Sequence, residues 1–156
     1  MACAFPQLCE KKTITIRFNE KPVPRQSHRT SFRGGSAVTF DPQSNKLLEL
    51  RAMTWCQLED GHEPWSREIP VVVSIQAVFA IPASWPKQRR AMAFSGEECH
   101  THVPDCDNMA KLYMDAIKGI VFDDDAQVVG RMVGKSYAEK PAVVITCTWM
   151  EHRHEC

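Results

Sequence analysis

Three aspartates and one lysine carry the strongest chemical signal in this chain. Asp105 and Asp107 stand in the run Pro104-Asp105-Cys106-Asp107-Asn108-Met109-Ala110-Lys111, and Asp125 closes the triplet Asp123-Asp124-Asp125 after Phe122. Carboxylates crowded on an otherwise apolar stretch repel one another and lose hydration unless a cation sits among them. Oxygen-only ligands with a single ammonium suit Mg²⁺ and a phosphate rather than a thiolate-bound metal. Residues two apart in an extended segment share a side, so Asp105 and Asp107 are expected to face one spot as the chain enters a helix. Asp107 or Asn108 can cap that helix, and Lys111 lies one turn beyond Asp107 on the same face. A reversal at Gly119 and a short return strand can carry Asp125 back to the helix start, whose partial positive charge suits a phosphate. Taken singly, each motif has a plain structural explanation: a cap with a solvated charge, or an acidic turn. Their combination and order are far more specific.

The elements that must position these groups can be read from hydrophobic period. Thr13 to Phe18 alternates and is β-branched, as a strand requires, and Ile69 to Ile81 places Val71, Val73, Ile75, Ala77 and Phe79 on one face. Asn19 to Gly35, with its prolines, glycines and arginines, reads as a polar loop or irregular hairpin, and Ser36 to Phe40 as a second short strand. Asp41 and Pro42 look like the N-cap and first residue of a helix running to about Leu58, with Leu48, Ala52 and Trp55 as its buried stripe. Glu59 to Arg67 is a polar, acidic connection. Pro82 to Val103 is a long linker with room for a short helix after Ser84, and loops of that length usually serve function or move. Asn108 to Lys118 is expected to be helical, with Met109, Leu112, Ala116 and Ile117 inward and Gly119 as the stop. Ile120 to Phe122, Gln127 to Lys135 and Ala142 to Trp149 read as strands, the last two paired antiparallel. The expectation is one α+β domain, a small mixed sheet packed against two main helices. Its bounds are 13–150, flanked by an N-terminal extension at 1–12 and a C-terminal tail at 151–156.

Size and composition narrow the function classes. The 156 residues suffice for one domain with a true core. The N-terminus lacks a charged segment followed by a long apolar run, which argues against a signal peptide, and no stretch approaches a membrane span. Seven cysteines, an odd number at irregular spacings, then read as reduced thiols in an intracellular, cytoplasmic setting. The net charge is zero, but it is unevenly distributed. Lys11 to Arg51 holds nine Lys/Arg against Glu20, Asp41 and Glu49, whereas Glu97 to Asp125 holds eight Asp/Glu against Lys111 and Lys118. A basic region and an acidic one therefore coexist, and a bound cation would offset the second.

The stretch from His102 to Lys135 resembles the signature of RusA-type Holliday junction resolvases, the Mg²⁺-dependent endodeoxyribonucleases of phages and prophages. The resemblance rests on Pro104-Asp105, Asp107-Asn108, Lys111, Asp115-Ala116, Gly119, Asp124-Asp125, Gln127-Val128 and Lys135. Weaker likeness extends from about Thr13 to Trp149. It implies a RusA-like fold, metal ligands at Asp105, Asp107 and Asp125, and a catalytic lysine at Lys111. It also implies paired symmetric nicks in four-way junctions by a homodimer, with Mg²⁺ as cofactor (Mn²⁺ a possible substitute), in DNA recombination and repair. Val103 stands where the family usually has a basic residue, and Asp123 is an additional acid. Arg25, Arg29, Arg33, Lys87, Arg89, Arg90 and Lys135 are candidates to track DNA backbones without reading bases. Whether Lys111 acts on the phosphate or orients the water stays open at this level.

Three other readings compete. A branched-DNA-binding protein without turnover would grip junctions but would not require the acid set. A zinc-dependent regulator could use Cys99, His100, His102 and Cys106, or Cys147, His152, His154 and Cys156, although neither group has paired Cys-x-x-Cys spacing. A general single-strand nuclease would want base-stacking aromatics. Trp65 and Trp85, in connections, are the candidates for that role, whereas Trp55 and Trp149 lie on expected core elements.

Overall fold

Alternation along the strands places one sheet face against two helices, and most of the architecture follows from that. The computed structural model describes residues 8–152. In order these form β1 (Leu8–Phe18), β2 (Arg29–Arg33), β3 (Ser36–Phe40), α1 (Ser44–Trp55), β4 (Val71–Ala80), α2 (Lys87–Ser95) and α3 (Cys106–Ile117). A 3₁₀ turn at Asp125–Gln127, β5 (Val128–Ala138) and β6 (Ala142–His152) complete them. Four strands make a mixed sheet in the order β1-β6-β4-β5, and β2 and β3 make a separate antiparallel hairpin. The α+β expectation with a mixed sheet holds; a third helix, α2, occupies much of the expected linker. No helix among the described residues is long and apolar enough to cross a membrane.

β4 alternates without a break, with Val71, Val73, Ile75, Ala77 and Phe79 buried and their neighbours half-exposed. Ile16 and Phe18 of β1 and Val143, Ile145 and Cys147 of β6 continue that buried face. α3 covers it with Met109, Leu112, Tyr113, Ala116 and Ile117, and Leu50 of α1 joins the same core. Tyr113 lies 5.7 Å from Phe18 between ring centroids. Its hydroxyl accepts a hydrogen bond from the Val23 N–H at 3.2 Å, and burial pushes its pKa up to about 12. The loop between β1 and β2 is thereby tied to α3.

Several expectations are corrected. The buried stripe of α1 is not Leu48, Ala52 and Trp55: Leu48 is 64% exposed, Trp55 faces solvent, and Leu50 and Thr54 point inward. Asp41 does not cap α1. Its carboxylate instead accepts from the Gln43 N–H at 2.8 Å, and the helix starts at Ser44 behind Gln43. Ile120 to Phe122 is a tight buried turn, closed by the Gly119 N–H donating to the Phe122 carbonyl at 2.7 Å, because three apolar residues in a row fit a buried turn as well as a strand. β5 and β6 are not a hairpin pair: β5 runs parallel to β4, and β6 lies antiparallel between β4 and β1. Trp65 is 6% exposed and packs against Trp149 at 6.2 Å, so it offers no ring to a base. The 1–12 extension and the 151–156 tail fall partly outside the described residues; within them β1 begins at Leu8 and β6 reaches His152.

Candidate active site

α3 begins differently from the expectation, and the difference redirects two carboxylates. Asp105 is the N-cap, with φ −75° and ψ 160°, and its side chain accepts from the Asn108 N–H. One carboxylate oxygen takes that N–H at 2.7 Å and the other takes the Asn108 amide at 3.0 Å. Asp107 is already in the first helical turn, so the two acids are separated by helical rotation rather than aligned by a strand. The side chain of Asp107 is 83% exposed and lies 3.7 Å from the Arg131 guanidinium. Asp105 therefore starts the helix, and Asp107 looks out from it.

The acidic triplet sorts itself by hydrogen bonding. Asp124 caps the 3₁₀ turn, accepting from the Ala126 N–H at 3.0 Å, and it is part of a reciprocal capping box with Gln127. That backbone N–H, offset in part by desolvation and aided by Lys118 and Arg67, holds the Asp124 carboxyl below its usual range. Gln127 is buried, and its amide N–H groups are shared among the carbonyls of Trp65, Ser66 and Ile69 at 3.2, 3.0 and 3.0 Å. Its side-chain oxygen accepts from the Asp124 N–H at 2.9 Å. This tether fixes the turn so that Asp123 faces solvent and Asp125 faces a cavity.

That cavity, about 510 Å³, is lined by Lys111, Asp115 and Asp125 together with Arg25 and Arg131. It is open to solvent, and α3, the 3₁₀ turn and the start of β5 form its walls. Each acid near it holds a cation. Lys118 donates to Asp125 at 3.0 Å, Arg25 lies 3.8 Å from Asp115, and Arg131 faces Asp107. The Asp125 hydrogen bond is the leading cause that raises the Lys118 pKa above its ordinary value. Arg25 is anchored by Asp41 at 2.8 Å with a side chain 18% exposed, and its backbone N–H donates to the Asn108 carbonyl at 2.8 Å.

The structure thus brings Lys111 and Asp125 to one cavity, sets Asp107 beside that cavity's Arg131, and leaves Asp105 as a cap outside the lining. Among the described residues no group of three or more His, Cys, Asp or Glu stands close enough together to hold a metal ion. The single cage expected from Asp105, Asp107 and Asp125 is not formed as the side chains stand, and neither is a zinc cluster from Cys99, His100, His102 and Cys106. His154 and Cys156 lie outside the described residues. In donor chemistry the set still fits a hard divalent ion. The available ligands are carboxylate oxygens open to water, and the cations beside them occupy positions that a stronger cation could take.

Other candidate residues have defined places. Arg29 and Arg33 project on the β2–β3 hairpin, and Lys87 and Arg90 lie exposed on α2. Arg89 pairs with Glu98 at 2.6 Å. The Lys135 ammonium donates to the carbonyls of His102 and Pro104 at 2.8 and 3.1 Å, pinning the segment that leads into Asp105. Sequence reasoning missed the places of Asp115, Lys118 and Arg131 at the site. Asp115 had a readable signal, since it lies four residues beyond Lys111 on the same helix face. Arg131 had none, because only the docking of β5 beside α3 brings it there.

Residues 20–148 match the family model described as endodeoxyribonuclease RusA. A Bacillus subtilis (strain 168) protein, named only as uncharacterized protein YqaN, is 29% identical over 128 residues, covering 80% of this chain and 88% of that protein.

Proposed function

Because this chain belongs to the RusA endodeoxyribonuclease family, we propose that it resolves four-way DNA junctions by paired, symmetric nicks at the cavity beneath α3. As a member it is an endodeoxyribonuclease of the junction-resolving class, acting on branched DNA. The observation that carries the finer reading is the meeting of Lys111, Asp115 and Asp125 on one solvent-open cavity. Ligand exchange at the acids is its central requirement. Asp107 and Asp125, with Asp105 at the helix start, would hold a divalent ion, Mg²⁺ by the hardness of the donors, with Mn²⁺ as a substitute. Such an ion supplies an acidified water and charge stabilisation at the scissile phosphate.

The chain's own residues do the rest. Lys111 and Arg131 supply positive charge to the non-bridging phosphate oxygens, in a place where preformed donors lower the barrier without reorganisation. Lys118 and Arg25 balance the acids until DNA arrives. Gln127 keeps the 3₁₀ turn rigid, so that Asp125 is held rather than recruited. Arg29 and Arg33 on the hairpin and Lys87 and Arg90 on α2 extend basic character toward the flanking backbones.

A labelled four-way junction, incubated with Mg²⁺ or with EDTA, tests this directly. The wild type should nick two strands symmetrically only with metal, and Asp107→Asn should bind without nicking. Lys111→Ala should slow cleavage by on the order of a hundredfold. Binding without nicking by the wild type in every metal condition would instead establish a branched-DNA-binding protein.

A further inference from the structure

A second cavity, of about 520 Å³, lies at the far end of β5 and is walled by aromatic rings. Trp85 and Tyr137 meet edge to face with centroids 5.2 Å apart. His100 stacks on Phe79 at 3.7 Å, sits 5.2 Å from Tyr137 and 6.1 Å from the His102 ring. Phe79 and Tyr137 are direct partners in the parallel β4–β5 ladder, so two neighbouring strands build the floor. Trp85, His100 and Tyr137 are only half-buried and His102 is exposed, which leaves ring surface open to the cavity. His100 Nδ1 is buried with no hydrogen-bond partner, an unmatched polar edge among the rings of the wall.

From this geometry we infer that the cavity receives one unstacked nucleobase of the DNA, packed against the wall that Trp85, Tyr137 and His102 form. The inference rests on the nuclease reading given above. A flat neutral π-system suits these walls, because aromatic side chains stack on any base face. A cationic guest does not, since the Arg89 guanidinium already lies 3.7 Å over the Trp85 ring and Lys21 stands at the rim. Arg89 is already paired with Glu98, so Lys21 is the cation that suits the phosphate a nucleotide brings with its base.

Placement supports the same occupant. Arg131 lines the acid-bearing cavity and Tyr137 this one. Six strand residues separate them, about 20 Å, or roughly six stacked nucleotides of one strand and fewer when the strand is unstacked. The His102 to Pro104 segment, fixed by Lys135, joins the two places along the chain. One base seated here would set which phosphodiester reaches Asp125.

The test is 5-iodouracil cross-linking of a four-way junction, scanned by position, with the full chain in EDTA so that no cleavage is needed. Cross-links are expected at Tyr137, Trp85 or His102, from one or two junction positions only. Trp85→Leu and Tyr137→Leu should each weaken junction binding roughly tenfold, whereas Tyr137→Phe, which keeps the ring, keeps the cross-link. Should either leucine variant fail to fold, His102→Ala, an exposed position, carries the comparison through loss of cross-linking. Cross-links confined to other residues, or leucine and alanine variants with wild-type affinity and an active nuclease, overturn the base pocket alone. A wild type that cross-links here yet never nicks with metal keeps the pocket and removes the nuclease reading. Failure to bind the junction at all removes both.

Discussion

Asp124 and Asp125 are neighbours of identical chemistry in different surroundings. Asp124 accepts from the turn's Ala126 N–H, whereas Asp125 lines the cavity and accepts from Lys118. Asp124→Ala is therefore expected to lower the melting temperature while leaving metal-dependent cleavage measurable, and Asp125→Asn to abolish cleavage with the melting temperature little changed. Thermal denaturation and junction cleavage on the same preparations separate the two. The pairing was half legible, since Asp-x-x-Gln is a capping pattern, but three adjacent acids gave no way to assign roles without the Gln127 tether. The acids of α3 were legible in type and not in direction. Whether Asp105 or Asp107 caps depends on where helical dihedrals begin, and Asp-x-Asp allows either.

His100 makes the second residue-scale prediction. Burial, with the Lys135 charge behind it, keeps its imidazole below the usual pKa, so the folded state favours the neutral ring. The associated stability is present above the ordinary histidine value and is lost as pH falls through that value toward the lowered one. The wild type should thus lose more melting temperature between pH 7.5 and pH 5 than His100→Phe, and equal losses would contradict it.

Among the elements, α1 shows why spacing alone misassigned a face. Leu48, Ala52 and Trp55 share one stripe; Leu47, Leu50 and Thr54 form another of the same period, and only α3 decides which is buried. Thr54 is tolerated inside because its hydroxyl donates to the Leu50 carbonyl at 2.9 Å. The two helices are joined by Arg51, whose guanidinium donates to the carbonyls of Asp115 and Lys118 at 2.8 Å each, capping the end of α3 beside the site. Arg51→Leu should destabilise the fold by about 2 kcal/mol, a fall of roughly 5 °C in melting temperature, read by calorimetry. β4 was legible because unbroken alternation has one interpretation. The short link from β5 to β6 suggested a hairpin, yet β4, the most apolar strand, takes both as neighbours, and no local pattern announces that.

At the scale of the whole molecule, the β2–β3 hairpin stands apart from the main sheet with both faces largely exposed. An isolated two-stranded ribbon is marginal in water. Phe32 is 80% exposed there, with Val38 and Phe40 also uncovered, apolar surface that the homodimer implied by the family resemblance would cover. Two symmetric cuts need two related sites, and a twofold pair provides them. Phe32→Glu should weaken self-association by about 2 kcal/mol, roughly thirtyfold in dissociation constant, measured by sedimentation equilibrium. A wild-type monomer that still makes paired nicks would contradict the dimer.

The parallel pairing of β4 with β5 has a kinetic consequence. Both cavities draw on the long crossover that joins those strands, and neither is complete until β5 has docked along the edge. Distant partners must meet before that ladder forms, which costs loop entropy early and returns contacts late. The chemistry of this chain should therefore ripen last in folding, and amide exchange along Val128–Ala138 would act as its clock.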